Sequence, residues 1–294
     1  MARVLVVGAG LTGAAAAALL RGAPRGQVAV WDKARGAGGR MSTSRADRGS
    51  ADLGAQFVTC EPELAGPRLS FYEDLVSQGI LKPLTAPVEG MVVREGSRNY
   101  VAPQGISSVV KYYLEQSGAD VSYEQQVTHI SLRDGRWEVS RKAGPPEQFD
   151  VVILTMPVPQ ILQLQGDIVN KSPEIGPSVV VHTTVTFGSE HLDSDPAEVQ
   201  QIILSHLQRI VPSLPEPSSI KCQRWRYSQV TRAVPNCPGQ MILHTQPLLI
   251  CGGDGFTRSN FDGCIESAMS LAQAVKPHLQ QFQSQAAKLP LDLL

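Results

Sequence analysis

The chain has no C-x-x-C pair, no long apolar run, no block of like charge and no surplus of either sign. Its cysteines are Cys60, Cys222, Cys237, Cys251 and Cys264, odd in number and widely spaced. That argues against a disulfide framework and against a zinc site, and it fits a reducing compartment. No uninterrupted apolar stretch is long enough to span a bilayer. There are 26 Lys and Arg against 27 Asp and Glu, a formal net charge of −1. Nothing in that balance suggests general affinity for a nucleic acid polymer or an anionic membrane. The apolar N-terminus resembles a secretion signal, but its glycines begin at Gly8, and cleavage behind the apolar run would remove them. It therefore reads as part of the fold of a cytoplasmic protein.

What is present is 294 residues, 42% hydrophobic and 18% charged. That suffices for one large domain or two of ordinary size, with a sizeable core. The chain is organised around Arg3–Leu20. Val4–Val7 reads as a strand buried on both faces. Gly8, Gly10 and Gly13 match G-x-G-x-x-G, and an Ala/Leu run reads as a helix behind them. In such a turn Gly8 lets the chain leave the strand sharply, Gly10 lets a pyrophosphate approach the backbone, and Gly13 lets the helix lie close on the sheet. The first helical turn, with Thr12, offers unpaired N–H groups to an anion. A second apolar segment, Val28–Trp31, ends in Asp32. That is about 20 residues past the glycines, where an acid accepts hydrogen bonds from an adenosine ribose.

Lys33–Met41 follows, with Gly38, Gly39 and Arg40. Glycines next to an Arg suit a loop that wraps a pyrophosphate with backbone donors and a guanidinium fork; alone, the same loop is equally a solvated surface turn. Arg45–Ser50 reads as a polar excursion. Asp52–Phe57 returns to the core, with Gln56 offering a donor and an acceptor; by composition it is an ordinary turn before a strand.

Helical spacing marks Ser70–Gly79, Gly105–Gln116 and Glu198–Val211. Met91–Val101 reads as a hairpin turning at Glu95–Ser97, Val121–Glu138 as strands, and Phe149–Pro157 as a buried strand that brings Thr155 and Met156 to a sheet end. Val179–Val185 reads as a strand interrupted by His182, and the segment around Trp225 as another. Leu248–Gly255 is a strand running into Gly252-Gly253-Asp254, followed by a helix over Phe261–Ala274. From Lys276 the chain reads as a polar tail.

Taken in order, G-x-G-x-x-G, an acid, G-G-R-M and D-L-G-A-Q-F resemble the FAD-dependent amine oxidases of the glutathione-reductase-like class. Val88–Val121, Glu147–Asp167 and Cys251–Ala268 resemble the renalase family more narrowly, and the likeness runs from the N-terminus to about Ala268. The resemblance implies an α/β fold. A Rossmann-like FAD-binding domain would take residues 1–75, 122–160 and 218–275, and a smaller α+β substrate domain 76–121 and 161–217, with 276–294 as the tail. It implies non-covalent FAD held by Gly8, Gly10, Thr12, Gly13, Asp32, Lys33, Gly39, Arg40, Met41, Gln56, Phe57, Val127, Met156, Gly253 and Asp254. Asp254 would hold a ribityl hydroxyl, and His182 would stand catalytically near the flavin ring. The implied reaction oxidises 1,2- and 1,6-dihydro isomers of NAD(P) to NAD(P)+, with O2 reduced to H2O2. Monoamine oxidation and a catalytically impaired or signalling flavoprotein are the alternatives. The family is also described as secreted. Against it, this chain lacks a segment between Ile168 and Glu174 that supplies strands and an active-site tyrosine. Losing central strands uncovers edges and apolar faces, so a truncated substrate domain on a sounder flavin domain is expected.

Overall fold

The structure, a computed structural model, describes residues 2–22, 26–46, 49–61, 69–86, 94–157, 160–161, 181, 183–210, 220 and 222–286. The chain opens with β1 (Ala2–Val7), α1 (Leu11–Leu19) and β2 (Gly26–Trp31). β3 (Thr43–Ala46) and β4 (Gly49–Asp52) pair with each other, and β5 (Val58–Cys60), α2 (Leu69–Ser77), β6 (Lys82–Pro83) and β7 (Arg98–Val101) follow. Next come α3 (Ser107–Ser117), β8 (Asp120–Ser122), β9 (Val127–Arg133), β10 (Arg136–Arg141), β11 (Glu147–Phe149) and β12 (Val151–Leu154). The last elements are α4 (Val185–Glu190), α5 (Pro196–Ile210), β13 (Gln240–His244), β14 (Leu248–Gly252) and α6 (Phe261–Ala286). Two compact units result: Met1–Ser178 with Gln229–Leu294, and Val179–Ser228.

The first unit is built on a six-stranded sheet in the order β13-β14-β12-β1-β2-β8. All neighbours are parallel except β13 against β14. β1 lies inside this sheet, with Val4 opposite Val28 on one side and Val151 on the other. Side chains of a strand alternate between faces, and β1 buries both sets. Val4 and Val6 join the core shared with α1, α3 and α6, while Leu5 and Val7 join a second core with Trp31, Trp137 and Phe149. That is why Val4–Val7 carries no polar position. The second core is roofed by the three-stranded sheet β11-β10-β9. The Trp137 indole N–H donates to the Leu248 carbonyl at 3.0 Å, tying this roof to β14.

Helix α1 can sit close because five of its nine residues are alanine: Ala14, Ala15, Ala16 and Ala17 are fully buried, and α3 and α6 pack along it. α3, expected with the substrate domain, packs on α1, and β8 extends the main sheet beside β2. α6 runs past the expected end at Ala274, and Leu279 is buried, so the boundary set for a polar tail at Lys276 falls inside this helix. Of the expected Met91–Val101 hairpin, residues 91–93 lie outside the described residues. A turn closes from Ser97 N to the Arg94 carbonyl at 3.1 Å, but β7 pairs with β5 and β6.

The regular elements among the second unit's described residues are the helices α4 and α5. Asp195 caps α5, its Oδ1 accepting from Ala197 N at 2.8 Å. Thr184 caps α4, accepting from Phe187 N at 3.2 Å. The strand expected over Val179–Val185 is not formed at 181 or 183–184, and Val185 begins α4; the strand expected around Trp225 is irregular chain at 222–225. The physical reason is that β propensity needs a paired neighbour to be realised, and no strand lies among the described residues of this unit.

One of the tightest joints of the first unit is Gly13. A Cβ there would stand 2.0 Å from the Gly8 carbonyl oxygen and 2.8 Å from Thr155 Oγ1. Backbone cannot move aside as a side chain can, so Gly13→Ala is expected to cost at least ~3 kcal/mol. Urea unfolding of the variant would read this as a lowered midpoint, and an unchanged midpoint would contradict the packing described.

Candidate functional site

Parallel strands end on one edge of a sheet, and ligands of such sheets sit beyond those ends. Here Gly8 directly follows β1, Asp32 follows β2, Tyr123 follows β8, Thr155 follows β12 and Gly253 follows β14. The five exits form one face of the first unit.

At its centre is the first turn of α1. Gly10 is the N-cap, no side chain caps the helix, and no acid lies in the first turn. Its opening N–H groups are therefore available to an external anion. Beyond Gly10 lies open space, since a Cβ added there meets nothing within 4 Å. Gly8 has a φ of 115° and packs against Thr155 Oγ1, which donates to the Val7 carbonyl at 3.0 Å. Gly8 and Gly13 thus shape the turn, while Gly10 leaves it accessible. That combination fits a pyrophosphate lying on the helix start.

Asp32 braces the cradle from β2. Its Oδ2 accepts from Ala9 N at 2.6 Å and its Oδ1 from Ala34 N at 2.7 Å. It is half-buried, and it retains acceptor capacity for a ribose hydroxyl. Tyr123 stands beside it; burial first, then the Asp32 charge, raises the phenol above its ordinary value, and a contact to the Ala37 backbone opposes them. Tyr123 belongs to no sequence motif and lies inside the Val121–Glu138 segment expected as strands; its place directly after β8 is set by the structure.

The Gly38–Met41 turn folds over the cradle: Gly38 N donates to the Ala9 carbonyl at 3.0 Å, and a Cβ on Gly39 would stand 3.6 Å from Gly10 Cα. From this turn Arg40 reaches Asp254. Nη1 donates to Oδ2 at 2.6 Å and Nη2 to Oδ1 at 2.7 Å. Burial alone would pull the guanidinium down, but the hydrogen bond and charge of Asp254 outweigh it and leave the pKa raised. Asp254 also accepts from Ser259 Oγ at 2.7 Å. Gly253, at a φ of 127°, is held through its N–H by Ser267 Oγ at 2.7 Å. Cys264 sits among Thr12, Arg40 and Asp254; burial first, then the Asp254 carboxylate, pushes its thiol up to about 11, against the Thr12 hydrogen bond and the Arg40 charge. Ser267 and Cys264 were not expected at this face, because only packing of α6 brings them there.

The face therefore gathers Gly8, Gly10, Thr12, Gly13, Asp32, Gly39, Arg40, Gly253 and Asp254. Met41 is buried in the core beneath its turn. Other expected residues stand apart from the cradle's hydrogen bonds. Gln56 is exposed and donates to the carbonyls of Asp52 at 2.6 Å and Gly54 at 3.0 Å. Phe57 is half-buried, and Lys33 is exposed with Nζ 3.2 Å from Gln160 Oε1. Val127 is buried and Met156 partly buried in the second core. His182 lies outside the described residues.

Comparison with known proteins adds the following. Residues 6–73 match the NAD(P)-binding Rossmann-like domain, and residues 85–174 match flavin containing amine oxidoreductase. Renalase of Mus musculus is 46% identical over 343 aligned positions, covering 95% of this chain and all of the mouse protein. That alignment is longer than this chain, so it carries gaps on this chain's side. A crystal structure from Exiguobacterium sp. 255-15, assigned provisionally as a protoporphyrinogen oxidase, superposes with a TM-score of 0.62 at 15% identity, covering 94% of this chain and 99% of that one. It supports the fold. Among the described residues, no helix is long and apolar enough to cross a membrane.

Gly10→Val separates site from scaffold. Gly10 has an extended backbone that Val adopts readily, at a φ of −84°. The variant is expected to keep its stability within ~1 kcal/mol while losing dinucleotide binding, read by urea unfolding alongside equilibrium titration. Undiminished affinity would show that the open space at Gly10 is not where the phosphates lie.

Proposed function

The chain belongs to the renalase family, a flavin-dependent oxidoreductase family, and on that premise we propose that it oxidises dihydronicotinamide dinucleotides. The observation that carries the reading is the uncapped, glycine-walled start of α1, braced by Asp32 and overlaid by the Gly38–Met41 turn within one unit. It suits FAD bound without a covalent link. Gly8, Gly10, Thr12 and Gly13 receive the pyrophosphate, Asp32 the adenosine ribose, and Lys33, Gly39, Arg40 and Met41 wrap the phosphates from the other side. Gln56, Phe57, Val127, Met156, Gly253 and Asp254 complete the cofactor's surroundings. His182 takes its role near the flavin ring from the family resemblance alone.

The FAD held by these residues would supply the redox chemistry: acceptance of a hydride (two electrons and a proton) from a 1,2- or 1,6-dihydro isomer of NAD(P), and passage of the two electrons with two protons to O2 to give H2O2. This chain's own residues orient the dinucleotide and exclude water. The start of α6 contributes a partial positive charge to its end of the site, worth about 0.3–1 kcal/mol towards an anionic ligand.

A second reading has its own support. The second unit lacks strands among its described residues, and the alignment with the mouse relative is longer than this chain. Both favour a form that holds FAD but presents substrate poorly. One anaerobic titration separates the readings. The purified, yellow protein is mixed with a 1,2- or 1,6-dihydro isomer, and the visible flavin band is followed. Bleaching by these isomers and not by monoamines supports the oxidase. Bleaching by monoamines alone contradicts it, and a flavin that no donor reduces supports the impaired form.

A further inference from the structure

Resting on the flavoprotein reading above, we propose that Asp254 is a positioning residue that acts on FAD through Arg40, not a direct partner of the ribityl chain. A carboxylate has about four acceptor sites, and those of Asp254 are largely occupied. Oδ2 accepts from Arg40 Nη1 and from Ser259 Oγ, and Oδ1 accepts from Arg40 Nη2, all at 2.6–2.7 Å. The Asp254 side chain is only 7% exposed, while that of Arg40 is 33% exposed. The partner facing outward is therefore the arginine. Two of its five N–H donors are taken by Asp254, and the other three remain for a phosphate.

Both ends of this clasp are set by backbone. Ala55 N donates to the Arg40 carbonyl at 3.0 Å, and Gly54 lies so close that a Cβ would stand 2.0 Å from that oxygen. On the other side Gly253 N is held by Ser267 Oγ, which itself donates to the Gly239 carbonyl at 2.6 Å. With each turn anchored independently, the bidentate pair fixes the guanidinium plane relative to the start of α1. It also joins the segment after β2 to the segment after β14, so the two ends of the chain close on the cofactor as one body. A point charge would not do this, since only a planar fork meets both carboxylate oxygens.

The test is a double-mutant cycle on FAD affinity, with thermal midpoints of each cofactor-depleted protein as folding controls. Asp254→Asn is expected to weaken FAD by about tenfold or more. In an Arg40→Gln background the same change is expected to cost nothing further. Equal losses in both backgrounds would overturn the proposal. Should Arg40→Gln fail to fold, ADP competition against FAD in Asp254→Asn decides. ADP has the pyrophosphate but no ribityl chain, so its power to displace FAD is expected to fall by the same factor as FAD affinity. Unchanged ADP binding with weakened FAD would mean that Asp254 holds the ribityl chain directly and would overturn the proposal while leaving the flavoprotein reading intact. Failure of the parent chain to bind FAD at all would overturn both.

Discussion

The close approach of α1 to the end of β1 is the constraint on which the rest depends. Gly13 lies so near the Gly8 carbonyl that no side chain fits between them. That contact sets where the helix begins, and so where its unpaired N–H groups point. Thr155 packs into the same joint from β12. The site is thus a consequence of how three parallel strands and one helix meet. Its glycines do different work: two permit the packing, and one leaves room for a ligand.

This explains which parts were legible in the sequence. A strand buried on both faces is a run of apolar residues, and the turn glycines and Asp32 stand at spacings fixed by local geometry. Val4–Val7, the α1 start and the exit of β14 could be read for that reason. The Arg40–Asp254 pair could not, because its partners are distant in sequence and neither residue signals the other. Residues such as Tyr123, Ser267 and Cys264 reach the face by packing, which leaves no periodic trace. In the Met91–Val101 segment the turn residues mark where the chain reverses, while the pairing of β7 with β5 and β6 is decided at long range.

The second unit shows the limit from the other side. Val179–Val185 carries a strong β pattern, yet the described residues there are not paired, and Val185 enters a helix. A strand is a property of a sheet. Gaps in the alignment to the mouse relative are consistent with neighbours that this chain does not have. On the proposed reading, cofactor binding and substrate presentation are therefore separable in this chain. The first depends on a unit whose cores are well packed, the second on a unit with no strand among its described residues.

The central claim is that the first unit folds into a working dinucleotide cradle regardless of the second. Thermal denaturation of the full chain against FAD concentration tests it most directly, because a ligand that binds only the folded state stabilises by RT ln(1 + [L]/Kd), about 2.7 kcal/mol at a hundredfold excess over Kd. The account predicts a midpoint that climbs steadily with the logarithm of FAD concentration. A midpoint that stays fixed at every FAD concentration would contradict it.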